Sequence, residues 1–278
     1  MEWGVATVLI VAGVGLVAGV LGGLLVVWGS TVMIPALVVL FGQDRTAGMN
    51  QHLYQAAAMA VNVAVALPAA WRHRKAGAMR VDVLRWLLPG ALVCILVGVA
   101  LSNLVADPVW LGRLLAAFLV YVIYVNVRKL LAKPTAAGDG DDGAGAAAAM
   151  SGGARAKAAG IGGAMGTVAG LLGIGGGALA VPMQQVLLGL PLRACIANSS
   201  AVICVTAGVG AVAKLSTLPA GQSAGVALGI AGVLAPTAIV GGLIGATLTH
   251  RLPLRVVRGV FVALMLVAAW KLAALPWG

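Results

Sequence analysis

The stretch that decides the fold covers residues 169–182 and has the sequence AGLLGIGGGALAVP. It lies inside an apolar block of roughly 158–189, which is too long for one spanning helix of about 20 residues. Glycine costs about 1 kcal/mol relative to alanine inside a helix, so the cluster Gly175–Gly177 followed by Pro182 predicts a break. We therefore expect a helical hairpin with both ends on one side. Arms of about 14 residues span about 21 Å, which places the hairpin tip inside the membrane.

The first half of the chain contains a counterpart of this block, at roughly 4–41. Glycine and proline matches are informative because these residues fix backbone geometry. A single offset of 147 residues pairs Pro35 with Pro182, Gly42 with Gly189, Ala47 with Ala194, Pro89 with Pro236, Gly98 with Gly245 and Gly112 with Gly259; upstream, an offset of 151 pairs Gly22 with Gly173. The chain is therefore predicted to hold two repeats, residues 1–133 and 158–278, joined by a flexible linker over 134–157.

Composition indicates a membrane protein, because 62% of the residues are hydrophobic and only 9% are charged. Soluble domains carry about 25% charged residues. Three further apolar blocks follow each hairpin, at 47–70, 83–106 and 109–131 in the first half and at 194–214, 222–249 and 254–275 in the second. We expect an all-α integral membrane protein in a lipid bilayer. The net charge of +11 comes from loops, so nucleic acid is not expected as a partner.

The basic loops predict the topology, since Lys and Arg accumulate on the cytoplasmic side. They lie at 72–85, 128–157 and 250–258. A hairpin plus three transmembrane helices per half puts all three loops on one side only if the halves insert in opposite directions. This is the inverted-topology repeat of many secondary transporters. It places the linker in the cytoplasm and both termini outside the inner (plasma) membrane. A parallel repeat with four crossings per half is the alternative.

The motifs of the second half resemble the repeated signature of the TauE/SafE sulfite-exporter family. The resemblance rests on residues 169–177 with Val181-Pro182, then Gly189, 191–194, Asn198-Ser199-Ser200, and Gly241-Gly242 with Gly245; the first half follows it at Ala18-Gly19, Gly22, Pro35 and 74–77. In the first half, residues 22–30 replace the compact glycine cluster. The resemblance implies transport of a small sulfur-containing anion such as sulfite, sulfoacetate or a related organosulfonate, driven by an ion gradient. An anion channel, or a transporter of another small anionic solute, is the alternative.

Broken helices suit an anionic substrate, because a helix N-terminus presents free N–H groups and a positive dipole end. We expect the substrate near the membrane midplane, and expect polar groups at matching places in both halves to converge there. The candidate ligands are Gly173, Gly175, Gly176, Gly177, Gln184, Asn198, Ser199 and Ser200 in the second half, and Gly29, Ser30, Thr31, Gln51, His52 and Gln55 in the first. Tight helix packing of the glycines and N-capping by Asn and Ser are the alternatives. His52 is either a proton relay or a packing residue.

The remaining polar residues are assigned lesser roles. Asn62 and Thr206 are expected along the same pathway, and Lys214, near a helix end, is expected to extend to the interface. The cysteines at 94, 195 and 204 form no CxxC pair and predict neither a disulfide framework nor a metal site. Catalytic constellations and P-loop spacings are absent from the sequence, so we expect no enzyme and no cofactor. The oligomeric state is left open.

Overall fold

The computed structural model describes residues 4–25, 29–41, 51–105, 108–131 and 151–248, with single positions between 259 and 270. Regular structure in these ranges is helical, which confirms the all-α prediction. The helices are α1 (Val5–Leu25), α2 (Ser30–Phe41), α3 (Gln51–Lys75), α4 (Val81–Leu104), α5 (Pro108–Leu131), α6 (Gly152–Leu172), α7 (Gly177–Leu188), α8 (Leu192–Ser216) and α9 (Ala224–Leu248). The final predicted block, 254–275, and the loop at 250–258 lie largely outside the described residues.

Five of these helices are long and apolar enough to cross a bilayer. They contain the segments Val5–Gly22, Gln51–Lys75, Val81–Leu104, Arg193–Ser216 and Ala224–Gly245. Shorter apolar helices occur at Ser30–Phe41, Trp110–Val125 and Leu179–Leu188. Many large apolar side chains on these helices face outward, as expected of surfaces in contact with lipid. The chain is a multi-pass membrane protein.

The break between α6 and α7 falls at the glycine cluster singled out from the sequence. Gly173, Gly175 and Gly176 have φ angles of 75°, 77° and 68°, in the left-handed region that favours glycine. A Cβ on Gly176 would in addition collide with the carbonyl oxygen of Met165. Because both the backbone angle and the space require glycine there, the chain turns sharply between the two helices.

The two arms of this hairpin differ in length, whereas the sequence predicted arms of equal length. Helix α6 has 21 residues and α7 has 12, where about 14 were expected in each. The first arm is longer because the Ser151 hydroxyl accepts a hydrogen bond from the Ala154 N–H and caps the helix. Helix α6 therefore begins within the range assigned to the linker. Residues 132–150 of the linker lie outside the described residues.

Two helix pairs join the halves through close backbone contact, α1 with α9 and α4 with α6. Small residues allow this approach, as they often do in membranes. A Cβ on Gly19 would collide with the Ala238 carbonyl, and one on Gly170 with the Ile95 carbonyl. Along each pair the residue numbers rise together: Gly15 lies beside Leu234 and Gly19 beside Ala238, and Leu87 lies beside Gly162, Ala91 beside Gly166 and Ile95 beside Gly170. Both pairs therefore run parallel.

The pair α3 and α8, by contrast, runs antiparallel at the centre of the molecule. His52 lies beside Lys214 near one end, and a Cβ on Gly208 would lie 4.0 Å from Val63 further along. The 147-residue offset matches α3 with α8. Two helices that the sequence offset matches to each other therefore point in opposite directions.

Candidate functional site

The breaks in the two halves meet at one point. The Ser30 hydroxyl, on the first residue of α2, donates a hydrogen bond to the carbonyl of Ile174 in the α6–α7 turn, at 2.9 Å. The Asn62 amide of α3 donates to the same hydroxyl oxygen at 3.2 Å. A Cβ on Gly175 would lie 3.1 Å from that amide nitrogen. We call Ser30, Asn62 and Ile174 the tip contact, since these residues join the start of α2 directly to the α6–α7 turn and connect both to α3.

An unpaired polar atom lies beside the tip contact. Thr31 is 1% exposed, and within the described part of the chain its Oγ1 has no hydrogen-bond partner. Buried polar groups are normally satisfied, and each exception calls for an explanation. Thr31 stands in the first turn of α2, where the Val32 and Met33 N–H groups donate to the Gly29 carbonyl. The Thr31 hydroxyl thus has hydrogen-bonding capacity that the described part of the protein leaves unused.

A cavity of about 480 Å³ leads to the tip contact. It is lined by α1, α2, α3, α8 and α9, mostly by apolar side chains and glycines. Gly29 and Asn62 line it at the hairpin break, and Arg72 and His73 line it at the basic end of α3. Ten residues of helix separate Asn62 from Arg72, a distance of about 15 Å. The cavity thus connects the basic end of α3 with the place where the hairpins meet.

A second group of polar residues is buried on the other side of the tips, which we call the Lys214 cluster: His52, Gln55, Ser102 and Lys214. The Lys214 ammonium donates to the Ser102 hydroxyl at 2.6 Å and contacts His52 Nδ1 at 3.3 Å. Ser102 donates to the Gln55 side-chain oxygen at 3.3 Å. The Gln55 amide in turn donates to the carbonyl of Leu171 at 3.1 Å. The cluster therefore joins α3, α4 and α8 to the end of α6.

The expectation that Lys214 extends to the interface is wrong, since this side chain is only 1% exposed. Its position, one turn or less from the end of α8, suggested a short route to water. The structure instead turns the side chain inward, toward His52 on α3 and Ser102 on α4. These partners are 162 and 112 residues away in sequence. The sequence offers one indication of such a partner, the polar residue Ser102 within the apolar block 83–106.

The polar residues of α7 and α8 form a third, separate group. The Gln184 amide donates to Ser199 Oγ at 2.9 Å, and Asn198 donates to the Gln184 oxygen at 3.3 Å. The Arg80 backbone N–H donates to Asn198 Oδ1 at 2.9 Å, which fastens the start of α4 to α8. None of these three side chains lines the cavity described above.

The matching polar residues of the two halves do not converge, contrary to expectation. His52 contacts Lys214, which lies 15 residues beyond Ser199 on α8, or about 22 Å along the helix. The physical reason is the antiparallel course of α3 and α8, which carries His52 and Ser199 to opposite ends of the pair. Asn50, the neighbour of this group, lies outside the described residues.

The other candidates are distributed among these groups. Ser200 lines the cavity and donates to the Ile196 carbonyl at 2.8 Å. Gln51 is buried and donates to the Leu111 carbonyl at 3.2 Å. Gly173 packs against the Gln55 side chain, and Gly177 begins α7. Thr206 bonds to the Val202 carbonyl of its own helix and lies outside the cavity lining.

The described ranges contain neither a metal-binding cluster nor a disulfide. They contain no group of three or more His, Cys, Asp or Glu side chains that could hold a metal ion. The cysteines at 94, 195 and 204 are free thiols.

Comparison with known proteins gives a family match over almost the whole chain. Residues 11–272 match the family model described as Sulfite exporter TauE/SafE. The chain is 30% identical over 296 residues to the "Probable membrane transporter protein MamO" of Magnetospirillum gryphiswaldense, covering 97% of this chain and 45% of that protein. The protein of the same name from Paramagnetospirillum magneticum is 29% identical over 283 residues, covering 92% of this chain and 43% of that protein. The chain thus spans less than half the length of these relatives. No solved structure matches it significantly.

Proposed function

Because the chain belongs to the sulfite exporter TauE/SafE family, we propose that it is a secondary transporter of a small sulfur-containing anion, driven by an ion gradient. The related proteins are named as probable membrane transporters, which supports the transport class rather than an enzyme. The cavity is the main structural support for this proposal, because it joins a basic helix end to the tip contact between the hairpins.

The substrate site of this proposal is the inner end of the cavity. Asn62 and Gly29 line it there, and Ser30 and Thr31 stand at the start of α2. Uncharged donors at a helix N-terminus bind an anion without the cost of a buried ion pair. Arg72 and His73, at the other end, attract an anion toward the opening.

The apolar lining of the cavity bears on the choice among sulfur anions. Apart from Asn62, Arg72, His73 and Ser200, the cavity is lined by glycines and apolar side chains. A volume of about 480 Å³ exceeds what a bare oxyanion fills. An organosulfonate such as sulfoacetate combines an anionic head for the helix N-terminus with carbon atoms for the apolar wall. We therefore favour an organosulfonate over sulfite itself.

For a secondary transporter of this kind we expect inverted-topology repeats. The antiparallel course of the equivalent helices α3 and α8 supports this arrangement, because parallel repeats would align them. With the basic end of α3 in the cytoplasm of an inner (plasma) membrane, the cavity opens inward. Both termini then lie outside, and the linker is cytoplasmic.

The substitution Asn62→Asp tests the site, since it keeps the shape of the side chain and adds a negative charge beside the bound anion. We expect sulfoacetate to raise the melting temperature of the purified wild-type protein in detergent, with affinity reduced about tenfold or more in the variant. Asn103→Asp is the matched control, because Asn103 is exposed and bonds to Thr217 away from the cavity.

The same titration is run with sulfite, sulfate and acetate. Equal stabilisation of both Asp variants by every anion would contradict the assignment of the site. Stabilisation by acetate alone would favour another anionic solute.

A further inference from the structure

We propose that Lys214 is a second anion ligand, on the opposite side of the hairpin tips from the cavity, and that it binds the anion when the Lys214 cluster separates. The proposal rests on the transport function proposed above. It adds a charged site to a pathway whose described cavity ends at uncharged groups.

The surroundings of Lys214 are unusual for a membrane lysine. Its ammonium has two side-chain partners, Ser102 and His52, and no described carboxylate lies within ion-pair distance. A lysine inside a membrane is costly, and such residues commonly mark the path of a substrate or ion. An ammonium carries three N–H donors, so an anion can replace these partners and supply a countercharge.

The repeat symmetry places the Lys214 cluster where a second cavity is expected. The 151-residue offset pairs the cavity-lining Gly22 with Gly173, against which the Gln55 side chain of the cluster packs. The cavity and the cluster therefore lie beside matching glycines of the two hairpins. The 147-residue offset pairs Lys214 with Leu67, an exposed residue outside the cavity lining. An inverted-repeat transporter exposes its site alternately to each side, so we expect the region of the cluster to open next.

The cluster is also joined to the hairpin that has to move. Gln55 donates to the Leu171 carbonyl at the end of α6 and packs directly against Gly173. Ser102 connects Gln55 to Lys214. A displacement of the α6–α7 tip therefore breaks the contacts of Gln55 first, and the Ser102 hydroxyl and the Lys214 ammonium can then donate to an anion. The anion would move from Lys214 to the tip contact as the hairpin returns.

Amine labelling of the wild-type protein tests, without any substitution, whether Lys214 becomes accessible and binds an anion. Membrane vesicles of both orientations are treated with a membrane-impermeant amine-reactive ester, and labelled peptides are quantified by mass spectrometry. Lys75, exposed at the basic end of α3, marks the cytoplasmic face. We expect Lys214 to react only from the opposite face. We also expect saturating sulfoacetate to slow its labelling about fivefold or more, leaving Lys75 unaffected.

The proposal is overturned if Lys214 stays unlabelled from both faces while Lys75 reacts fully from the cytoplasmic face, or if Lys214 reacts from the same face as Lys75. It is also overturned if sulfoacetate, sulfate and chloride all fail to protect Lys214. Sulfoacetate flux in the same vesicles separates the two claims. Flux without protection of Lys214 refutes this site alone, whereas protection without flux refutes the transport function and leaves an anion site.

The variants Lys214→Arg and Lys214→Met provide a second measurement, with Leu67→Met as the control at the paired position. We expect the KM for sulfoacetate to rise about tenfold in Lys214→Met and to stay close to wild type in the other two. An equal loss of transport rate in Lys214→Met and Lys214→Arg, with unchanged KM, would indicate a packing role and contradict the proposal.

Discussion

At the scale of single residues, glycine serves two distinct purposes in this protein. At Gly170 it allows two helices to touch through their backbones, because a side chain there would meet the Ile95 carbonyl. At Gly176 it also permits a left-handed backbone angle. Both residues appear in the sequence as members of the same motif, and only the structure separates packing from turning.

The substitution Gly170→Ala tests the packing role. The added methyl group collides with the backbone of α4, which cannot move without displacing the whole helix, so we expect a loss of about 1–3 kcal/mol in stability. Gly160→Ala is the control in the same helix, because a Cβ there meets nothing within 4 Å. Thermal unfolding in detergent provides the comparison. Equal melting temperatures for the two variants would contradict the described contact between α4 and α6.

The residue scale also shows the limit of what the sequence can predict about the site. Ser30 and Asn62 were recognisable as polar residues in apolar blocks, and the structure places them in direct contact. The inward course of Lys214 was not predictable, because its partners come from distant helices. Polarity indicates that a partner is needed, whereas the three-dimensional packing decides which one is found.

At the scale of helices, the sequence predicted most elements because length and glycine content determine them. The break after Gly173 and the blocks of α3, α4, α8 and α9 lie where apolar length and turn residues placed them. The start of α6 was not predicted, because the Ser151 cap and the alanine-rich segment 154–159 extend the helix beyond the apolar block. Arg155 and Lys157 lie in the first turns of α6, and their charge assigned this segment to the linker.

The relative direction of α3 and α8 leads to a prediction about their ends. Ala76 follows α3 and Ala220 follows α8, and both are exposed. Inverted repeats put these two positions on opposite sides of the membrane, whereas parallel repeats put them on the same side. We expect Ala76→Cys to react with an impermeant maleimide only from the cytoplasm and Ala220→Cys only from outside, in a background with the three native cysteines replaced. Reaction of both from one side would refute the inverted topology.

At the scale of the whole molecule, the two halves of the chain each contain a broken helical hairpin and differ in the polar residues beside it. Each contributes a broken hairpin, and the two tips meet at Ser30 and Ile174. The described cavity lies between helices of both halves and reaches the tip contact, whereas the Lys214 cluster lies beside the end of α6. The two-repeat plan stays a prediction from the glycine and proline matches of the sequence. That pairing sets lysine at position 214 against leucine at 67.

We propose that this molecule moves a small sulfur-containing anion by coupling it to an ion gradient. The most direct test is uptake of radiolabelled sulfoacetate and sulfite into proteoliposomes with an imposed proton or sodium gradient, using Asn62→Asp as the comparison. We expect accumulation above the external concentration in the wild type, abolished when the gradient is dissipated and strongly reduced in Asn62→Asp. Flux that only equilibrates the anion, regardless of the gradient, would indicate a channel. No flux of either anion through folded wild-type protein would contradict the proposed transport function.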